Sequence, residues 1–112
     1  MKRSVTLKEN YEFRRVYAKG KSIAVGCVVL YCRRNRGANR LGLTVSTKLG
    51  GAVVRNRVRR RLREIYRLHG TLFRQGYDLV VVARKRAAVA SYRELERSFL
   101  NAAEKLSLLE DV

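Results

Sequence analysis

Arg55-Asn56-Arg57-Val58-Arg59-Arg60-Arg61-Leu62-Arg63-Glu64-Ile65-Tyr66-Arg67 holds seven arginines and one acid, yet its apolar residues recur at helical spacing. Val54, Val58, Leu62, Ile65 and His69 fall within a stripe of about 80° when each residue turns by about 100°. The period predicts one amphipathic helix, opened by Gly50-Gly51 and stopped by Gly70. Arg55, Arg57, Arg59, Arg60, Arg63 and Arg67 sweep around the opposite side, with Asn56 among them. Like charges one turn apart repel, and arginines near the first turn oppose the helix dipole. Nothing within the helix explains such crowding. A polyanion does, because phosphates neutralise it and guanidinium groups bind them bidentately.

Strands are expected on both sides of this helix. Upstream, Leu41–Thr47 alternates, with Leu41, Leu43 and Val45 on one face and Gly42, Thr44 and Ser46 on the other. Ile23–Cys32 is apolar and β-branched, a strand buried on both sides or nearly so, broken at Gly26 by a bulge or a turn. These two form a natural antiparallel pair across Arg33–Arg40, a turn-rich stretch that reads as a flexible basic loop. Downstream, Tyr77–Arg84 is a nearly all-apolar strand, central and covered. At the N-terminal end, Thr6-Leu7-Lys8-Glu9 fits a capping box with Thr6 as the cap. It predicts a short helix over about residues 8–18, with Phe13, Val16 and Tyr17 at helical spacing and Gly20 as the stop. A last helix begins at Ser91, boxed by Glu94, and buries Tyr92, Leu95, Phe99, Ala102, Leu106 and Leu109. Helices on a small mixed sheet make an α/β sandwich.

With 112 residues the chain is one domain, residues 1–112, and its 46% apolar content suits a single modest core. Its formal net charge of +17 points to anionic partners. The charge is uneven: residues 1–86 carry 23 Lys and Arg against four acids, residues 87–112 three against five. The polyanion surface is therefore expected in the first three-quarters of the chain, and the last quarter is expected to serve the fold. Nucleic acid is the first candidate. An acidic membrane surface is the second, and it fits poorly because the apolar stripes are used up by a core. No apolar stretch reaches 18 residues, and Met1-Lys2-Arg3-Ser4 does not lead into an export signal. Cys27 and Cys32 on one strand would face opposite ways, too far apart to bridge, as buried thiols of a cytoplasmic protein. One histidine and one cysteine pair do not make a zinc site. A protein-only nuclease would want paired carboxylates for metals or two histidines; Glu9, Glu12 and Glu64 lie amid basic residues instead.

The run Lys48-Leu49-Gly50-Gly51-Ala52-Val53-Val54-Arg55-Asn56-Arg57-Val58-Arg59-Arg60-Arg61-Leu62-Arg63-Glu64 resembles the signature of the bacterial ribonuclease P protein component. The likeness continues in Leu7-Lys8, Phe13, Val16-Tyr17 and Gly20, in Val29-Leu30-Tyr31, in Leu41–Ser46 and in Asp78–Arg84, covering about residues 5–100. It implies an α+β two-layer sandwich: a small mixed four-stranded sheet with three helices in αβββαβα order, and a left-handed βαβ crossover. It also implies a protein subunit that binds a catalytic RNA and the 5′ leader of precursor tRNA, assisting endonucleolytic removal of the leader. The active site would lie in the RNA, so no catalytic residue and no metal ligand is expected here. Magnesium would serve the holoenzyme, not the protein alone, and no membrane and no further protein partner is required. Matching positions make Lys48, Arg55, Asn56, Arg57, Arg59, Arg60 and Arg63 the RNA-binding set. They place Phe13, Tyr17, Tyr31 and Ser46 in a leader cleft between the first helix and the sheet.

Read by themselves, the residues stop sooner. A basic helix beside aromatics on a sheet is what single-strand binding asks for: a charged groove and stacking platforms. Phe13 and Tyr17, at i,i+4, equally fit a buried helix face, and Tyr31 fits cross-strand packing. Arg84, Lys85 and Arg86 end a strand in a basic cluster that suits nucleic-acid contact and a plain loop equally. His69 reads as a packed or end-capping residue. The alternative function is a non-catalytic structural RNA-binding protein, such as a small ribosomal protein. Only the leader-binding reading needs Phe13, Tyr17 and Tyr31 to converge on one exposed surface.

Overall fold

The computed structural model describes residues 5–110; the Met1–Ser4 start, read above for an export signal, lies outside them. The order is β1 (Val5–Thr6), α1 (Asn10–Lys19), β2 (Lys21–Val25), β3 (Val28–Arg34), β4 (Arg40–Thr44), α2 (Ala52–His69), β5 (Tyr77–Ala83) and α3 (Tyr92–Lys105). The three helices and the four longer strands follow the expected αβββαβα order. A two-residue β1 adds a short fifth strand, giving β1-β4-β5-β3-β2 across the sheet. β4 and β5 run parallel with α2 between them in sequence, and β3 runs antiparallel to β5.

One local expectation is settled and two are corrected. The apolar run Ile23–Cys32 breaks at Gly26, and the break is a turn between two strands rather than a bulge. Val25 pairs with Val28, so Gly26 and Cys27 form a two-residue hairpin turn, and Gly26 takes a φ of +54° there, as the first position of a type II′ turn requires. Cys27 and Cys32 therefore do not sit on opposite faces of one strand; both are buried in the same core as free thiols, and burial raises the pKa of Cys32. Second, β3 and β4 do not pair with each other, because β5 lies between them. Third, Thr6 belongs to β1, and the cap of α1 is Glu9. The Glu9 and Glu12 side chains complete the capping box, and the helix starts at Asn10.

The sheet separates two apolar clusters. The larger joins Val28, Leu30, Leu79 and Val81 of the sheet to Val58, Leu62, Ile65 and Tyr66 of α2 and to Leu95, Phe99, Ala102 and Ala103 of α3. Tyr66, Phe73 and Phe99 stack and cross at its centre. Ser91 caps α3 as its sequence predicts, accepting from Glu94 N–H at 3.1 Å. The smaller cluster, Leu7, Val16 and Val80 with Phe13, Tyr31 and Val82 packed against it, holds α1 on the other face. Because α1 is short, it leaves part of this second face uncovered.

Candidate nucleic-acid interface

On the α1 side, alternation along each strand puts Tyr31, Val80 and Gly42 in one row across β3, β5 and β4. Gly42 is there so that Phe13 can lie on the sheet: a Cβ at Gly42 would come within 2.5 Å of the Phe13 ring. One turn further along α1, Tyr17 meets Tyr31 edge to face at 4.9 Å between ring centroids. Its hydroxyl shares a 2.7 Å hydrogen bond with Thr44 Oγ1. Phe13 and Tyr31 are half-buried, while Tyr17 is exposed. The three aromatics thus converge on one face that remains open to solvent. Phe13 also packs in the smaller core cluster, so the core-packing alternative holds for it while part of its ring stays at the open face. A shallow depression beside the pair is lined by Asn10, Phe13, Arg14, Tyr17, Leu43 and Thr44.

β4 and β5 end at the same side of the sheet, and there the basic residues begin. Ser46 is exposed just past β4; its hydroxyl accepts from Lys48 N–H at 3.1 Å and starts the turn Thr47–Leu49. That turn packs against the turn Lys85–Ala88, and both pack near the start of α2. Lys48, Arg84, Lys85 and Arg86 are all exposed around this end. No side chain caps α2 at Gly51, and its first turn holds no acid. The unpaired N–H groups there add their partial positive charge to the cluster, while Arg55 Nε donates to Gly50 O at 3.2 Å.

The arginines of α2 do not form one continuous solvent face. Arg57 and Arg61 are half-buried on one flank, donating to Ala88 O at 2.8 Å and Ala90 O at 3.3 Å. They hold the segment before α3, a role that the sequence did not disclose. Arg59, Arg60, Arg63 and Arg67 form a second row, turned toward Phe13 and β4. Arg59 donates to Asn56 Oδ1 at 3.0 Å, which orients that amide. Arg67 chelates Glu64, and its hydrogen bonds hold the Glu64 carboxyl below its usual pKa. His69, read from sequence as a packed or end-capping residue, is half-buried and reaches across to Glu96 of α3 at 3.1 Å.

Arg40 is the clearest departure from the sequence reading. It lies in β4 rather than in a flexible loop, forking onto Asp78 with two 2.8 Å hydrogen bonds while its third nitrogen reaches Glu12. Asp78 is 1% exposed and also accepts from Asn35 Nδ2 at 2.6 Å. Burial pushes the Asp78 carboxyl upward, but the hydrogen bonds from Arg40 and Asn35 outweigh it and the pKa falls below the usual value. Glu12 is lowered by the backbone N–H groups of Glu9 and Lys8, and further by Arg40. Among the described residues no three His, Cys, Asp or Glu side chains cluster as metal ligands, and no helix is long and apolar enough to cross a membrane.

Known proteins similar in sequence and in fold agree among themselves. The chain matches the Ribonuclease P family over residues 1–107. It is 45% identical over 111 residues to the ribonuclease P protein component of Natranaerobius thermophilus, covering 98% of this chain and 96% of that one. It is 43% identical over 110 residues to the Alkaliphilus oremlandii protein, covering 97% and 96%. Among solved structures, the Staphylococcus aureus RNase P protein superposes with a TM-score of 0.88 at 31% identity, covering 96% of this chain and all of that one. The Thermotoga maritima RNase P protein does so with 0.82 at 29%, covering 92% and 97%.

Proposed function

The chain belongs to the ribonuclease P protein family, and from that membership we propose a division of labour over its surface. It is the protein subunit of ribonuclease P, the ribonucleoprotein that processes tRNA, and its partner is the ribonuclease P RNA. In our reading, the second arginine row of α2 and the basic end around Lys48 grip that RNA, and the Phe13–Tyr17–Tyr31 face holds the 5′ leader of precursor tRNA. The observation that carries the leader assignment is the Tyr17–Tyr31 pair, 4.9 Å apart on an uncovered sheet face. A small core domain has no need to leave such rings open. Stacking on rings is tolerant of sequence, as a variable leader requires, and each stacked base contributes about 1–3 kcal/mol. Phosphate contacts at Ser46, Lys48 and the Arg84–Arg86 end would add affinity without specificity.

Magnesium belongs in this scheme to the RNA. Glu12 of α1 and Asp78 of β5, the acids on the helix and the central strand of this face, are engaged by Arg40 and are not free to take a cation. No further protein partner enters the scheme, and its place is the cytoplasm. The test is leader removal by a bacterial ribonuclease P RNA at low magnesium: the purified protein should stimulate it. Tyr31→Ala should weaken binding of leader-bearing precursor by about 10-fold, the scale of one lost stacking contact, and leave mature tRNA binding unchanged. No stimulation with several RNAs would remove the subunit function. Equal losses for precursor and mature tRNA would remove the leader cleft.

A further inference from the structure

A second groove lies on the other side of Phe13 from the tyrosine pair. It encloses about 480 Å³, within the range of sites that accept one small ligand. Leu7, Phe13, Leu41, Leu43 and Tyr66 give it an apolar floor, and the second arginine row of α2 forms one wall. Its single acid, Glu64, is neutralised by Arg67 at 2.6 Å. Arg60 and Arg63 have no acidic partner among the described residues. The wall therefore keeps an excess of positive charge facing an apolar floor.

The backbone adds a third property. β1 covers the outer edge of β4 only as far as the pair Thr6–Leu41. Leu41 turns its carbonyl outward to accept from Leu7 N–H at 2.9 Å. By alternation along a parallel strand, Leu43 turns its N–H and C=O the same way. That is one step beyond the end of β1, at the groove that Leu43 lines. A donor and an acceptor side by side over an apolar floor suit the edge and face of a nucleobase.

We propose that this groove receives one unstacked nucleotide of the ribonuclease P RNA, its base against Phe13 and Leu7 beside the Leu43 backbone edge, its flanking phosphates on Arg60 and Arg63. A helical RNA segment gripped by its phosphates alone would need no apolar floor. A peptide strand would need a longer free edge, and β4 ends at Thr44.

The inference rests on the ribonuclease P reading, and the test keeps the two apart. Wild-type protein is first titrated against a bacterial ribonuclease P RNA; failure to bind overturns both. Thr6→Trp then sets a ring at the exposed mouth of the groove with every arginine in place. It should weaken RNA binding about 10-fold, the worth of one stacked base. The salt dependence should not change, because no phosphate contact is lost. Chemical footprinting should show one unpaired base of the RNA protected by the wild type and reactive with Thr6→Trp. Removing that base from the RNA should cost the wild type the same factor and Thr6→Trp nothing more. If Thr6→Trp loses its fold by circular dichroism, Thr6→Leu takes its place in the cycle. Wild-type affinity in the folded variant, protection confined to the tRNA leader, or additive losses would overturn the groove while leaving the subunit function intact.

Discussion

Single residues show where sequence reading ends. Arg40 sits in a run of arginines that reads as a loose basic loop, because its partners Asp78 and Glu12 are 38 and 28 residues away. Nothing local marks it as the one arginine of that run that is locked in place. Arg40 is partly exposed and keeps Glu12 when Asp78 is removed, so Asp78→Ala should cost about 2 kcal/mol in urea denaturation at pH 7, the worth of a hydrogen bond to a charged group. The folded pKa values of Asp78 and Glu12 both lie below the usual ones. Their contribution is thus complete above the unfolded carboxylate range, about pH 4, and is lost as pH falls through the lower folded values. Asp78→Asn, which cannot titrate, should flatten that acid limb; an equally steep limb in the variant would assign acid sensitivity elsewhere. Phe13 was ambiguous for a different reason. Its i,i+4 spacing with Tyr17 is the same for a core face and a binding face, and only the close approach to Gly42 shows that its ring lies flat against the sheet at the edge of the open face.

At the scale of elements, α2 and α3 were legible because a 3.6-residue period and a capping box are local signals. The order of strands was not. β3 and β4 are consecutive, and their order in the sequence predicts pairing, but that would bring Arg33 and Arg34 toward Arg40. Inserting β5 places Asp78 between Arg33 and Arg40 in register, and cross-strand pairs of opposite charge are favoured over like ones. The split of the α2 arginines was equally hidden, since the carbonyls of Ala88 and Ala90 that hold Arg57 and Arg61 lie some 30 residues on. The two rows should separate stability from binding. Arg57→Gln should destabilise the free protein by about 1 kcal/mol, the worth of its hydrogen bond. Arg63→Gln, which relieves repulsion from Arg59 and Arg67 one turn away on each side, should leave the melting temperature unchanged or slightly raised while weakening RNA binding. Thermal melts and RNA titrations of the two variants, run in parallel, check the assignment. A loss of stability in Arg63→Gln would mean that this arginine, too, holds the fold.

For the molecule as a whole, the decisive quantity is charge that the fold does not neutralise. Three carboxylate–arginine ion pairs are formed among the described residues, against 24 Lys and Arg in residues 5–110. Those pairs gather at Arg40 and Arg67. They leave Lys48, Arg60, Arg63 and Arg84–Arg86 without an acid on the side of α2 and the sheet's basic end, and Arg14, Arg15, Arg36, Arg93 and Arg97 without one elsewhere among the described residues. The acid-rich last quarter supplies Leu95, Phe99, Ala102 and Ala103 to the core, which is the structural part that its charge balance suggested. The molecule spans at most 36 Å, so its free cations lie close enough together to act on one RNA surface. Each phosphate they neutralise releases condensed counterions, which makes affinity fall steeply with salt. If about six phosphates are engaged, binding of the ribonuclease P RNA should weaken by about 10³ between 50 and 200 mM salt. Arg60→Gln and Arg63→Gln should each reduce the slope of log affinity against log salt by about one, whereas Tyr31→Ala, which removes a ring and no charge, should leave the slope alone. A shallow slope in the wild type would mean that these arginines face solvent rather than phosphate, and the crowding in α2 would then have no physical cause.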